Sequence, residues 1–237
     1  LKKEKIPPWQ ILDSISQDPV ISLDYPRADL NGSIFQFLIG LLQTTSTLDI
    51  EDWEDWFFEP PEMDELKKKF SSQKDWFEFS ESEPKFMQDF DVQMKGTQIP
   101  IKGLFIDSPG ENTLELNKDH FIKRDRIKSL CESCAASVLF TLQTNAPSGG
   151  VGNRTSLRGG GPLSSLVQVN RFSSSQVGGQ LSLFQNLWLN VLDKESWESL
   201  YPSSKDTSTE IYPWAKPTYT SESQETVTPK NVSPLSL

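Results

Sequence analysis

Histidine is nearly missing from this 237-residue chain: His120 is the only one. It sits in a polar run with no partner at a recognisable spacing, so it reads as a surface residue, not a catalytic base. Cysteine is scarce as well, with two residues, Cys131 and Cys134. One C-x-x-C pair makes no disulfide framework and points to a reducing compartment, the cytoplasm. No window approaches the roughly 18 consecutive apolar residues of a membrane span. No charged-then-apolar leader opens the chain, so nothing signals secretion. Only 35% of residues are hydrophobic, yet there are 7 Trp and 14 Phe. The expectation is a modest aromatic core with long loops.

Positive charge is also in deficit, since the net charge is −10. Its distribution matters more than its sum. Residues 49–91 hold 15 acidic and 5 basic residues and account for the whole −10. Residues 95–171 hold 10 basic and 6 acidic residues, a net of +4. The acidic block reads as solvated surface or as a dock for a basic partner. The later half is able to meet an anion.

The clearest helix runs over Arg27 to Thr45, where Leu30, Ile34, Phe37, Leu38, Leu41 and Leu42 recur at helical spacing behind Pro26. Gly32 and Gly40 within it point to close packing. Trp9, Ile11, Leu12 and Ile15 predict a short helix. Asp49 to Phe58 alternates acids with aromatics until Pro60-Pro61. Glu62 to Phe70 and Gln73 to Phe79 read as helical. Ile99 to Ile106 reads as a strand weakened by Pro100 and Gly103. Asp107 to Asn112 is a turn signal. Cys131 to Thr144 predicts a second helix with Ala135, Val138, Leu139 and Leu142 on its apolar side. Leu163 to Asn170 reads as a strand, and Gln180 to Leu192 as a third helix. The Pro-, Ser- and Thr-rich tail from Tyr201 is loop, docked by Ile211, Tyr212 and Trp214. The fold class is therefore α+β: mixed helices and short strands in one irregular globular domain with long loops. An acidic helical part covers about 1–92, a nucleic-acid-facing part about 93–192, and the tail 193–237.

The chain's most unusual stretch is Asn145 to Pro162, which holds six of the 13 glycines, two arginines and no acid. Bare backbone at Gly149, Gly150 and Gly152 allows close approach to a large surface. Amides beside Arg154 and Arg158 suit phosphate or a base edge. A plain surface loop is the other reading. The stretch lacks a Lys-Ser/Thr ending and follows a helix, so it fits neither a P-loop nor a dinucleotide fingerprint. No acid–base pair stands out, and no enzyme signature is present. Cys131 and Cys134 read as half of a tetrahedral zinc site or as two helix-start thiols without metal. Lys118, Lys123, Arg124, Arg126 and Lys128 form a basic run.

Several segments, in order, resemble the large subunit of the type I-E CRISPR surveillance complex Cascade, the CasA family. They are R-A-D-L-N-G from Arg27 with F-Q-F-L-I-G-L-L-Q from Phe35, P-K-F-M-Q from Pro84, and L-F-I-D-S-P-G from Leu104. They continue with C-E-S-C-A-A-S-V-L-F from Cys131, the run from Ala146 to L-R-G-G-G-P at Pro162, Q-N-L-W-L-N-V-L from Gln185, and P-W-A-K-P from Pro213. The family's opening P-W-I-P strand has only an echo at Pro8-Trp9.

The resemblance implies a non-catalytic subunit of an antiviral ribonucleoprotein, partnered by crRNA, double-stranded target DNA, the backbone, handle-end and small subunits, and a helicase-nuclease, with no membrane. It implies that Gly149, Gly150, Val151 and Gly152 enter the minor groove to read the protospacer-adjacent motif (PAM), where readout is largely by shape. Val151 falls where the family often has glycine. Asn153, Arg154 and Arg158 would add phosphate or groove contacts. Phe105, Ile106, Asp107 and Asn112 carry over as the contact with the crRNA 5′ handle. Asp107 stands where the family can have a neutral amide, and a carboxylate there must meet a base donor or a 2′-OH. Cys131 and Cys134 carry over as two zinc ligands, the other two expected outside this chain. The family's C-terminal helical bundle and its duplex-wedging residues are likewise expected outside it. The competing readings are an acidic, aromatic-rich adaptor with no nucleic-acid role, and a nucleotide-binding enzyme using the glycine stretch.

Overall fold

The computed structural model describes residues 2–79, 83–89, 98–120, 127–146, 165–169, 172–173, 178–201 and 211–217. They are mostly helical. Seven α-helices are described: α1 (Ala28–Thr45), α2 (Ile50–Phe58), α3 (Met63–Ser71), α4 (Glu111–Glu115), α5 (Glu132–Asn145), α6 (Leu183–Trp188) and α7 (Lys194–Leu200). Short 3-10 helices cover Pro8–Leu12, Lys74–Phe77, Ile101–Leu104 and Pro213–Ala215. Among the described residues the only strands are β1 (Phe172–Ser173) and β2 (Gly178–Gly179), an antiparallel pair. The chain divides into two compact units. Unit 1 is 1–26, 35–90 and 165–237; unit 2 is 27–34 and 91–164.

Among the described residues there is little of the strand content expected of an α+β chain, and the reasons are local. Ile99 to Ile106 is not a strand. Pro100 caps the 3-10 helix Ile101–Leu104, and the Gly103 N–H donates to the Pro100 carbonyl at 2.8 Å. The described part of Leu163 to Asn170, residues 165–169, is extended, but its bonding partners are side chains. Asn190 Oδ1 accepts from the Val167 N–H (2.7 Å), and Asn190 Nδ2 donates to the Val167 carbonyl (2.8 Å). Asn186 Oδ1 accepts from the Val169 N–H at 2.8 Å. Two asparagines one helical turn apart thus take alternate residues of an extended segment, as a neighbouring strand would.

The third helix is shorter than Gln180 to Leu192. Ser182 and Gln185 form a capping box that fixes the start of α6: Ser182 Oγ accepts from the Gln185 N–H, and Gln185 Oε1 accepts from the Ser182 N–H, both at 3.1 Å. Asp193 then caps α7, accepting from the Ser196 N–H at 2.9 Å. Gly32 does not pack closely, since a Cβ there would meet nothing within 4 Å.

Unit 1 is built around α6, which is buried along its whole length. Trp188 lies against Trp53 (6.1 Å between ring centroids), Trp56 (5.1 Å) and Phe184 (5.7 Å). Its indole N–H donates to the Trp53 carbonyl, and the Trp53 indole donates to the Val191 carbonyl, each at 2.9 Å. The acid–aromatic alternation of Asp49 to Phe58 is therefore an amphipathic helix, with Trp53, Trp56 and Phe57 turned inward. Gln43, on the part of α1 within unit 1, closes a similar bond pair. Its Nε2 donates to the Leu192 carbonyl (3.1 Å), and its Oε1 accepts from the Leu192 N–H (2.7 Å).

A second aromatic cluster docks the tail as expected. Tyr212 and Trp214 pack with Phe77, Phe86 and Trp76 at centroid distances of 5.0 to 6.0 Å. The Trp214 indole donates to the Trp76 carbonyl at 2.6 Å, and the Tyr212 hydroxyl donates to Gln73 Oε1 at 2.9 Å.

Gln43→Leu keeps the bulk but leaves both polar groups of the Leu192 peptide without that partner. It is expected to cost about 2–4 kcal/mol, measured by urea denaturation. Burial pushes the Tyr212 hydroxyl up to about 12. A raised folded-state value means that the contribution is complete below the unfolded value of about 10 and is lost as pH rises from there toward 12. The stability difference between wild type and Tyr212→Phe should therefore shrink across that window, read by denaturation at stepped pH.

Candidate nucleic-acid interface

All the residues singled out for nucleic-acid contact belong to unit 2. From the sequence, that unit carries 10 basic and 8 acidic residues, a net of +2, whereas unit 1 carries 13 basic and 25 acidic, a net of −12. Gly149, Gly150, Val151, Gly152, Asn153, Arg154 and Arg158 lie outside the described residues, as do Lys123, Arg124 and Arg126. Phe105, Ile106, Asp107, Asn112, Lys118, Lys128, Cys131 and Cys134 lie within them.

The described part of the site is organised by the first two turns of α1. Arg27 stands at the helix start, where its carbonyl accepts from the Asn31 N–H at 3.3 Å. Asp29 follows in the first turn, where a carboxylate suits the positive end of the helix. The Arg27 guanidinium donates to Asp29 through Nε (3.0 Å) and Nη2 (2.8 Å). It also reaches Asp107, 80 residues on, with Nη1 3.2 Å from Oδ2 and Nη2 3.0 Å from Oδ1. Its flat face lies 5.1 Å from the Phe105 ring centroid. One arginine therefore forks to two carboxylates and covers a ring, a geometry that lysine cannot reproduce.

Exposure ranks these contacts. The side chains of Arg27 and Asp29 are 31% and 19% exposed, and that of Asp107 is 52% exposed. Burial raises the Asp29 carboxyl, but the Arg27 hydrogen bond and charge, with backbone donors, outweigh it and hold the group below its usual range. The hydrogen bond to Asp29 raises Arg27, against the effect of burial, with Asp107 adding to the rise. The outer Arg27–Asp107 arm is screened by water and contributes about 0–1 kcal/mol. It holds the turn in place without locking it.

That turn closes with the Ser108 N–H donating to the Phe105 carbonyl at 2.9 Å. Phe105 is buried, Ile106 half-buried and Asp107 exposed. Asn112 is exposed on α4, a helix that begins where the turn signal ends. Asp107 is thus the outward-facing carboxylate of the set, with lone pairs beyond those Arg27 takes. His120 is exposed, as expected of a surface residue.

The second helix, α5, leads into the glycine stretch. Its buried face is Ala135, Ser137, Val138, Phe140, Thr141 and Thr144, so Leu139 and Leu142 do not lie at its centre. The buried hydroxyls are satisfied within the helix: Ser137, Thr141 and Thr144 donate to the carbonyls of Ser133, Ser137 and Phe140 at 2.8–2.9 Å. At its C-terminal end Asn145 Nδ2 donates to Ser33 Oγ (2.8 Å), and Ser33 Oγ donates to the Asp29 carbonyl (2.8 Å). The same two turns of α1 therefore hold the 105–108 turn and the helix end from which the glycine stretch departs. The resemblance assigns Arg27 to a helix and gives it no role; Asp29 is two residues away, but Asp107 is 80 residues away, too distant for spacing to reveal.

Cys131 caps α5 and Cys134 lies in its first turn; both thiols are exposed and neither is in a disulfide. A helix N-terminus favours the thiolate that zinc needs. Among the described residues, no three of His, Cys, Asp and Glu gather as a metal site. Lys128 and Lys102 flank an open cleft of about 420 Å³ floored by Pro100, Ile101 and Ile127. Lys118 is exposed. Among the described residues, no helix is long and apolar enough to cross a membrane.

A family model described as CRISPR-associated protein Cse1 matches residues 2–237. No curated protein matches the chain.

Asn145→Ala removes the donor to Ser33 and is expected to lower stability by about 1 kcal/mol. The midpoint of denaturant unfolding checks it.

Proposed function

The chain belongs to the CRISPR-associated Cse1 family, the large subunit of type I-E Cascade, and on that premise we propose that it is the non-catalytic subunit that inspects the PAM in duplex DNA. Gly149, Gly150, Val151 and Gly152 enter the minor groove as bare backbone, where readout rests on shape more than on base edges. Asn153, Arg154 and Arg158 contact phosphates, and Lys118, Lys123, Arg124, Arg126 and Lys128 add to the cationic path. Phe105, Ile106, Asp107 and Asn112 contact the 5′ handle of the crRNA, with Asp107 accepting from a base amine or a 2′-OH. PAM engagement starts R-loop formation and recruits the helicase-nuclease, as protein and RNA divide the reading in other RNA-guided effectors. The other Cascade subunits are its partners, in the cytoplasm.

The observation that carries this reading is the family match along nearly the whole chain. The charge division adds to it, since every assigned contact falls in the unit with positive net charge.

A second reading has its own support. Ile50 and Phe58, the first and last residues of α2, are each 42% exposed, with carboxylates at Glu51, Asp52, Glu54 and Asp55 between them in sequence. Such a surface suits a basic protein partner. Purification separates the two: a subunit of this complex comes with RNA, an adaptor without it.

For zinc, Cys131 and Cys134 would supply two of four ligands, and a bound ion would fix the start of α5 to wherever the other two reside. Metal analysis of the full-length protein should find one zinc per chain, and finding none refutes the assignment. In the assembled complex, Gly150→Asp puts a carboxylate against the groove and should lower PAM-dependent duplex affinity by about 100-fold. Arg154→Ala should cost about tenfold and flatten the salt dependence by about one phosphate contact. Unchanged affinity in both variants removes the glycine stretch as reader.

A further inference from the structure

Arg27 takes no part in the DNA and RNA contacts proposed for this chain, yet it is shared between two carboxylates. We propose that Arg27 is a positioning residue that couples the crRNA-handle turn to the helix end carrying the PAM loop. The inference rests on that reading of the two loops.

The geometry supplies a continuous path within unit 2. Asp107 lies on the handle turn and accepts from Arg27 at 3.2 Å, with a second approach of 3.0 Å. Arg27 donates to Asp29 at 2.8 Å. The Asp29 carbonyl accepts from Ser33 at 2.8 Å, and Ser33 accepts from Asn145 at 2.8 Å. Asn145 ends α5, and the glycine stretch follows it directly in sequence.

The two arms of the fork differ in kind. The Asp29 arm is local, two residues along the chain, and the more shielded of the two. The Asp107 arm spans 80 residues and its carboxylate sits at the solvent edge. A ligand donor that takes up an Asp107 lone pair competes with Arg27 or cooperates with it.

The charge balance gives this arm a further role. A bare carboxylate is repelled by RNA phosphates. Arg27, shared between Asp29 and Asp107, offsets part of that repulsion and lets an acceptor-only group approach a base amine or ribose hydroxyl. This explains physically how an aspartate serves where a neutral amide is tolerated.

The test uses the assembled complex and reads two affinities for each variant: for the crRNA handle, and for a duplex bearing the PAM. Arg27→Lys keeps the charge and reaches one carboxylate but cannot fork to two. It should leave the melting temperature within a few degrees yet weaken both affinities by about fivefold or more. Asp107→Asn should weaken the handle alone, and adding it to Arg27→Lys should weaken the handle no further. Ser33→Ala should weaken the duplex alone. A purely structural Arg27 would instead lower the melting temperature and be rescued by lysine in both affinities. If Arg27→Lys leaves either affinity at its wild-type value while Gly150→Asp abolishes PAM dependence, the coupling is wrong and the PAM reading stands. If Gly150→Asp is also inert, the reading fails and the coupling falls with it.

Discussion

The constraint on which unit 1 depends is that a helix carrying two amide side chains is fully buried. Helix α6 carries Gln185 and Asn186 into the interior, where an amide without partners costs about 1–3 kcal/mol. Each amide is therefore used. Gln185 closes the capping box and donates to the Phe57 carbonyl at 3.1 Å. Asn186 bonds the Ser182 carbonyl and the Val169 N–H. Asn190 and Gln43 each hold the N–H and the carbonyl of one distant residue. No buried side-chain nitrogen or oxygen among the described residues lacks a partner. Side-chain amides stand where strand neighbours would, and this is why a chain with strand-like segments folds as helices joined by extended runs.

Indole N–H groups extend the same logic. Trp53, Trp188 and Trp214 each bury a large ring and direct the N–H to a backbone carbonyl in a segment remote from their own. An indole is useful here because it joins apolar area to a single directional donor. The abundance of tryptophan in a chain with a modest apolar fraction follows: a few large side chains both fill the core and tie its loops.

Unit 2 is organised by charge and short hydrogen bonds instead. Its described anchor is the pair of turns holding Arg27, Asp29 and Ser33, on which the 105–108 turn and the end of α5 converge. Such contacts are directional but weakly stabilising at a wet surface. They fix the register of these segments more than they add to stability.

Sequence alone determined the long helix from its 3.6-residue apolar period, α5 from an apolar set of which Ala135 and Val138 are buried, and the aromatic docking of Tyr212 and Trp214. It also located the charge division and, through ordered motifs, the family. These are local or compositional properties, and a period or a charge count does not depend on distant neighbours. The backbone at Pro100 decided that Ile99 to Ile106 turns instead of extending, and tertiary structure alone decided that Asn190 replaces a strand at Val167 and that Arg27 joins Asp29 to Asp107. Each of those outcomes depends on a partner from about 20 to 80 residues away or on a backbone choice made by Pro100. Hydrogen-bond geometry between remote segments leaves no period in the chain, so only the folded molecule reveals it.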